Sequence, residues 1–272
     1  MDFLPLSILF FLTGILAALY YAFIPSKGRI HTQLPNRVSV TSVLLTLLIG
    51  GLVWYIFATF EGSARFRHLM ELLFGLLLFE SFFLFLMHWI RSNALNVTLS
   101  LLTTGAVFAT YFASPSFFLI NTILILATLG AATLLIRMGY LRTRILFIIA
   151  ILWTIYDVML VNFILPRVFV PVTDPIPTFL YPAVTVGELT LGSGDFMFLS
   201  LFTLIILRDY GRTAALFLIV SETAGLLMTG LLLPESGFLL PFLLVMTPIF
   251  FLVYGVAWWQ RRRIISRSSP WP

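Results

Sequence analysis

Four carboxylic acids stand well inside long apolar runs of this 272-residue chain: Glu80, Asp157, Asp195 and Glu222. A charge at membrane depth costs at least ~2.5–3.5 kcal/mol on insertion scales, so an acid kept there points to a use for it. Two of the four share a depth. Asp157 lies eight residues before the end of an apolar segment read as 143–165, and Asp195 six residues after the start of the next, 189–207. At 1.5 Å per residue they stand about 12 Å and about 9 Å from the same end of two consecutive, antiparallel helices. Two close carboxyls in a low-dielectric site cannot both ionise; they hold one proton between them and titrate as a pair. Such a pair can activate water. The ionised member takes a proton from it while the protonated member donates to the carbonyl under attack. Peptide hydrolysis by this route needs neither a metal nor a covalent intermediate.

The other titratable groups offer less. Glu80 lies in the middle of its apolar run, and Glu222 stands in Ser221-Glu222-Thr223-Ala224-Gly225, among small residues that let helices approach closely. Both are expected to be hydrogen-bonded to a neighbouring helix, with a proton or ion path as the alternative. His31, His68 and His88 are scattered at or near segment ends, and there is no cysteine. Thiolate sites, disulfides and cysteine nucleophiles are therefore excluded. No metal and no cofactor is expected.

The elements that must carry these acids follow from composition. Hydrophobic residues make up 60% of the chain and charged residues 10%, with a mean hydropathy of +1.07. A soluble domain carries about 25% charged residues, so a soluble enzyme, a disordered chain and a coiled coil are excluded. Nine apolar segments can be counted, at roughly 3–24, 38–60, 68–90, 94–112, 116–136, 143–165, 189–207, 213–233 and 238–259. Backbone in hydrocarbon must satisfy its own hydrogen bonds, and runs this continuous are helices rather than barrel strands. The expected fold is all-α, a single polytopic membrane domain over 1–272. The first five helices, about 3–136, form a scaffold. The last four, about 142–259, carry the chemistry. A proline-rich loop, 166–188, joins the sixth to the seventh, with five of the fourteen prolines at 166, 171, 175, 177 and 182. Within it Ala183-Val184-Thr185-Val186 has strand propensity.

Basic residues fall unevenly across the loops. Lys27, Arg29, Arg37, Arg91, Arg137, Arg142, Arg144, Arg208, Arg212, Arg261, Arg262, Arg263 and Arg267 share one side; Arg65, Arg67 and Arg167 share the other. The positive-inside rule then places the N-terminus outside and the C-terminus in the cytoplasm. Asp2 is the first charge, and the run from Phe3 to Ile24 reads as an uncleaved spanning helix. With a net charge of +5 explained by orientation, no basic face remains for nucleic acid.

The sixth segment reads Trp153-Thr154-Ile155-Tyr156-Asp157-Val158, and the seventh Leu191-Gly192-Ser193-Gly194-Asp195-Phe196. This resembles the presenilin and signal peptide peptidase family of intramembrane aspartyl proteases, which carries YD in its sixth helix and GxGD in its seventh. Each pattern alone is weak; both, in order and in these two segments, are specific. Phe196, Phe198 and Ser200 are similar to the presenilin branch. The family's third motif, PAL at the start of the ninth helix, corresponds here to Pro241-Phe242-Leu243, with Phe in the place of Ala. The larger side chain would narrow a substrate groove, or the match is coincidental. Type IV prepilin peptidases also carry GxGD, but with a different segment following it.

The resemblance implies a nine-helix, presenilin-like intramembrane aspartic endopeptidase of the GxGD type, with Asp157 and Asp195 as the catalytic pair. It implies support from Tyr156, Gly192 and Gly194, and substrate contact at Pro241, Phe242 and Leu243. Expected substrates are single-span membrane proteins or leftover signal peptides, locally unwound, with Val184 to Val186 adding a strand to them. The compact chain suggests a microbial, archaeal-type protein of the plasma membrane that works without obligatory cofactor subunits. The orientation resembles signal peptide peptidases and favours substrates whose N-terminus is inside. Two other readings stay open. One is a transporter or cation-leak channel, which buried acids and helices broken by Gly and Pro also suit. The other is an inactive family member that binds membrane helices.

Overall fold

The computed structural model describes residues 3–23, 64–87, 89–137, 141, 143–159, 183–186, 189–232 and 242–268. Among them are eight helices and one two-stranded sheet. In chain order they are α1 (Phe3–Phe23), α2 (Ala64–Leu86), α3 (Asn93–Ala113), α4 (Phe117–Arg137), α5 (Thr143–Met159), β1 (Ala183–Val186), β2 (Leu189–Gly192), α6 (Ser193–Tyr210), α7 (Arg212–Leu232) and α8 (Leu243–Ser268). The second apolar segment, 38–60, lies outside the described residues, as does most of the proline-rich loop. Six of the helices, α1, α2, α3, α4, α7 and α8, are long and apolar enough to cross a membrane. The chain is an integral membrane protein. α5 and α6 bear the sixth and seventh segments' chemistry.

The seventh segment does not begin as a helix. Leu189–Gly192 forms β2 and pairs antiparallel with β1 in the register Ala183↔Gly192, Val184↔Leu191, Thr185↔Thr190, Val186↔Leu189. A helix starting at 189 would have Thr190 and Gly192 in its first turn, both weak helix formers. As a strand the segment satisfies its backbone against β1, whose Val and Thr suit the pleat. Val184 and Leu191, a cross-strand pair, are buried, and β1 rests on α4 and α1.

α4 and α6 form the centre. They pack along each other and bury most of their side chains, including Ile123, Leu124 and Leu129 on α4 and Phe196, Leu199 and Phe202 on α6. α2 packs on α4 and carries α3 on its other side; α1 and α7 flank α6. Between helices in a bilayer there is no bulk-water hydrophobic drive, so small residues and close packing decide. At Gly130 of α4 an added Cβ would lie 2.7 Å from Ser81 Cβ and 2.9 Å from Ser81 Cα on α2. At Gly225 of α7 it would meet the side chains of Ile249 and Val245 on α8. Tyr20 of α1 donates a hydrogen bond to the Ser81 carbonyl.

α5 is held mainly by α8. Phe147 packs its ring on Phe250, Phe251 and Tyr254 at centroid distances of 5.4, 5.0 and 4.9 Å. One turn before Asp157, the Thr154 hydroxyl lies 2.8 Å from that of Thr247. At the far end from the sheet, Asp209 gathers three elements. It accepts from Thr143 of α5 at 2.7 Å and from Arg208 at 2.8 Å, and its carbonyl accepts from Arg261 of α8 at 2.8 Å. α6 passes into α7 through Gly211 alone, whose φ of 90° is the left-handed region that favours glycine.

Candidate active site

The site is built from three chain segments: the described end of α5, the β2–α6 junction and the start of α8. Gly192 is at once the last residue of β2 and the cap of α6, with φ −58° and ψ 142°. Being glycine, it offers no side chain to the orphan amides of the first turn. Asp195, three residues on, reaches back instead, and its carboxylate accepts a hydrogen bond from the Gly192 backbone. That is one half of a capping box, and the helix dipole favours a carboxylate there. The fit is tight: a Cβ on Gly192 would lie 3.3 Å from Asp195 Oδ2.

Asp157 is held by a different backbone. Its Oδ2 accepts from the Leu243 N–H at 3.4 Å. Leu243 is the first residue of α8, where an amide has no partner inside the helix, so the helix start turns an orphan donor onto the acid. Both carboxyls are half-buried, and Asp195 lies within electrostatic reach of Asp157.

The supporting residues divide. Tyr156 is half-buried and packs edge-on against Trp153 at 5.3 Å, and Trp153 in turn lies 6.1 Å from Phe198 of α6. This aromatic contact links the helices that bear the two acids. Gly194 has nothing within 4 Å of an added Cβ, so among the described residues no close backbone approach explains it. Pro241 lies outside the described residues. Phe242 is 4% exposed, its ring packed into the bundle against Phe10 of α1; its bulk is taken up inside the fold rather than in a groove. Leu243 contributes its backbone N–H to Asp157, and its side chain is buried.

Of the remaining acids, Glu222 is 0% exposed, and among the described residues neither of its carboxyl oxygens has a hydrogen-bond partner; Glu80 leaves one oxygen in the same condition. The expected hydrogen bond from a neighbouring helix to Glu222 is not found there. His68 pairs with Glu71 on α2 at 3.0 Å, while His31 and His88 lie outside the described residues. Residue patterns alone gave no sign of Phe10 or of the Leu243 amide. Thr154 had a signal, since it stands three residues before Asp157 and so on the same helix face.

This arrangement defines a polytopic helical membrane protein with two half-buried carboxyls within electrostatic reach of each other. Its fold is that of a solved presenilin family intramembrane aspartate protease, with a TM-score of 0.66 over 94% of this chain and 98% of that one. The two are 17% identical in sequence, so the likeness is one of fold. No family model and no individual characterised sequence matches the chain.

Proposed function

We propose that the chain is an intramembrane aspartic endopeptidase of the GxGD type, with Asp157 and Asp195 as its catalytic residues. One observation supports the reading: on a presenilin-like fold, the two acids lie within electrostatic reach of each other, each beside a backbone amide from a different element. In the proposed reaction one carboxylate takes a proton from a water molecule as its oxygen attacks the peptide carbonyl carbon. The other, protonated, donates to the carbonyl oxygen. The tetrahedral intermediate then collapses, with the C–N bond breaking and a proton passing to the leaving nitrogen. The amides of Leu243 and Gly192 hold the carboxyls in place while the proton changes sides. Substrates would be single-span membrane helices or signal peptides, unwound near the sheet. The charge bias of the loops supports substrates with the N-terminus inside and a C-terminus of the enzyme in the cytoplasm.

The test is cleavage of a single-span substrate by the purified protein in detergent, beside Asp157→Asn and Asp195→Asn. Loss of cleavage to background in both variants is expected. Cleavage surviving in either one removes the two-aspartate mechanism.

A second reading, ion or proton conduction, has one observation in its favour: Glu222 at mid-helix, buried without a partner among the described residues. Flux in liposomes that disappears in Glu222→Gln, with no cleavage by the wild type, would replace the first reading by this one.

A further inference from the structure

One side chain outside every motif touches the supports of both acids. Phe10 of α1 is fully buried. Its ring meets that of Phe196 at 5.4 Å and 66°, and that of Phe242 at 5.4 Å and 80°, both edge to face. Phe196 is the residue after Asp195. Phe242 is the residue before Leu243, whose N–H holds Asp157. The ring therefore stands between the first turn of α6 and the first turn of α8, on a helix that carries no acid of its own. A close-packed interior does not absorb a lost ring by sliding freely; what it loses becomes cavity or displacement.

We infer that Phe10 is a positioning residue that sets the separation of Asp157 and Asp195, by fixing the start of α6 and the start of α8 on one ring. The inference rests on the protease reading for its kinetic consequence and on geometry alone for its structural one. It also explains the departure at position 242. Where the resembling family has Ala, this chain has Phe, and the extra ring is seated on α1. The helix farthest from the acids in sequence thereby becomes part of their frame.

Two measurements test this, and they fail separately. The first is kinetic and compares Phe10→Ala, Phe10→Leu and Leu78→Ala. Leu78 is a fully buried residue of α2 away from the site, and its variant controls for a general loss of stability. Misplacement by about 1 Å costs up to ~100-fold in rate. Phe10→Ala is expected to lower kcat about 10- to 100-fold with KM within about twofold, and Phe10→Leu to restore part of it. The control should keep its kcat at a comparable drop in Tm. If Phe10→Ala behaves as the control does, or moves KM alone, the positioning role is overturned. Combined with Phe242→Ala, its effect should fall short of the product of the singles, because both remove one contact. A full product would overturn the coupling.

The second measurement needs no activity. The chain has no cysteine, so Asp157→Cys with Asp195→Cys places one thiol at each acid's position. The yield of cross-link with a short bifunctional thiol reagent then reports their separation. A several-fold lower yield is expected when Phe10→Leu or Phe10→Ala is added. An unchanged yield overturns the inference whether or not the protein cleaves anything. A wild type that fails to cleave would defeat the protease reading and leave the cross-link to decide the positioning claim.

Discussion

The Leu243 amide can be removed without removing the helix it begins. Proline at the first position of a helix has the right φ and lacks an N–H that the helix does not use. Leu243→Pro should therefore keep the fold and lose the hydrogen bond to Asp157, whereas Leu243→Ala keeps the amide. A hydrogen bond to a charged group contributes about 1.5–3 kcal/mol, so cleavage should fall roughly 10- to 100-fold in the first variant relative to the second. Equal rates in the two would show that the amide does not hold the acid during the reaction. The glycines of the junction make a second contrast. Gly192→Ala fits the backbone, but its Cβ meets Asp195 Oδ2 at 3.3 Å, so kcat should fall while the melting temperature stays near that of the wild type. Gly194→Ala meets nothing within 4 Å and should raise helix stability by up to about 1 kcal/mol; any change in cleavage should appear in KM. At this scale the sequence reveals the acids, because a carboxyl in an apolar run is conspicuous and its depth can be counted. It does not reveal who holds them, since a backbone amide has no residue type and Phe10 is one phenylalanine among 28.

Helix contacts are set by small residues facing rigid or yielding neighbours. Gly130→Ala would drive a Cβ to 2.7 Å from Ser81 Cβ and 2.9 Å from its Cα, and a backbone cannot step aside cheaply. A loss of about 1–3 kcal/mol is expected from such overpacking, read as a lower unfolding midpoint in detergent. Gly225→Ala meets Ile249 Cδ1 at 2.8 Å and Val245 Cγ1 at 3.1 Å, the ends of side chains that can turn. Its cost should be offset by the gain in helix propensity, leaving the midpoint within a few degrees of the wild type. If Gly130→Ala melted no lower than Gly225→Ala, the α2–α4 contact would be looser than these distances require. Element types were legible wherever hydropathy alone decides, and the boundaries of α3, α4 and α7 fall within a few residues of those counted. The start of the seventh segment was not. Leu189 to Gly192 is apolar enough for a helix, and only its pairing with Ala183–Val186 makes it a strand. The strand propensity of those four residues was visible; their partner was not.

At the scale of the whole molecule, the polar end formed by Thr143, Arg208, Asp209 and Arg261 lies opposite the sheet, and the charge bias of the loops predicts which side of the membrane the C-terminus takes. A reporter fused after Pro272 should be active in the cytoplasm and silent outside; the reverse would invert the topology and with it the preferred substrate direction. What residue counting could not supply at this scale was the route by which α1 reaches the acids, because a contact between residues 10 and 242 leaves no periodic trace. Gly192 ends the sheet and caps the helix that carries Asp195, so no loop separates strand from acid. A polypeptide that extended this sheet would be measured off against the acid as if along a ruler whose zero mark is Gly192. The bond cut would be chosen by counting residues from the paired stretch. Moving that stretch along a substrate would carry the cut with it, while thickening or thinning the bilayer would leave the cut where it was.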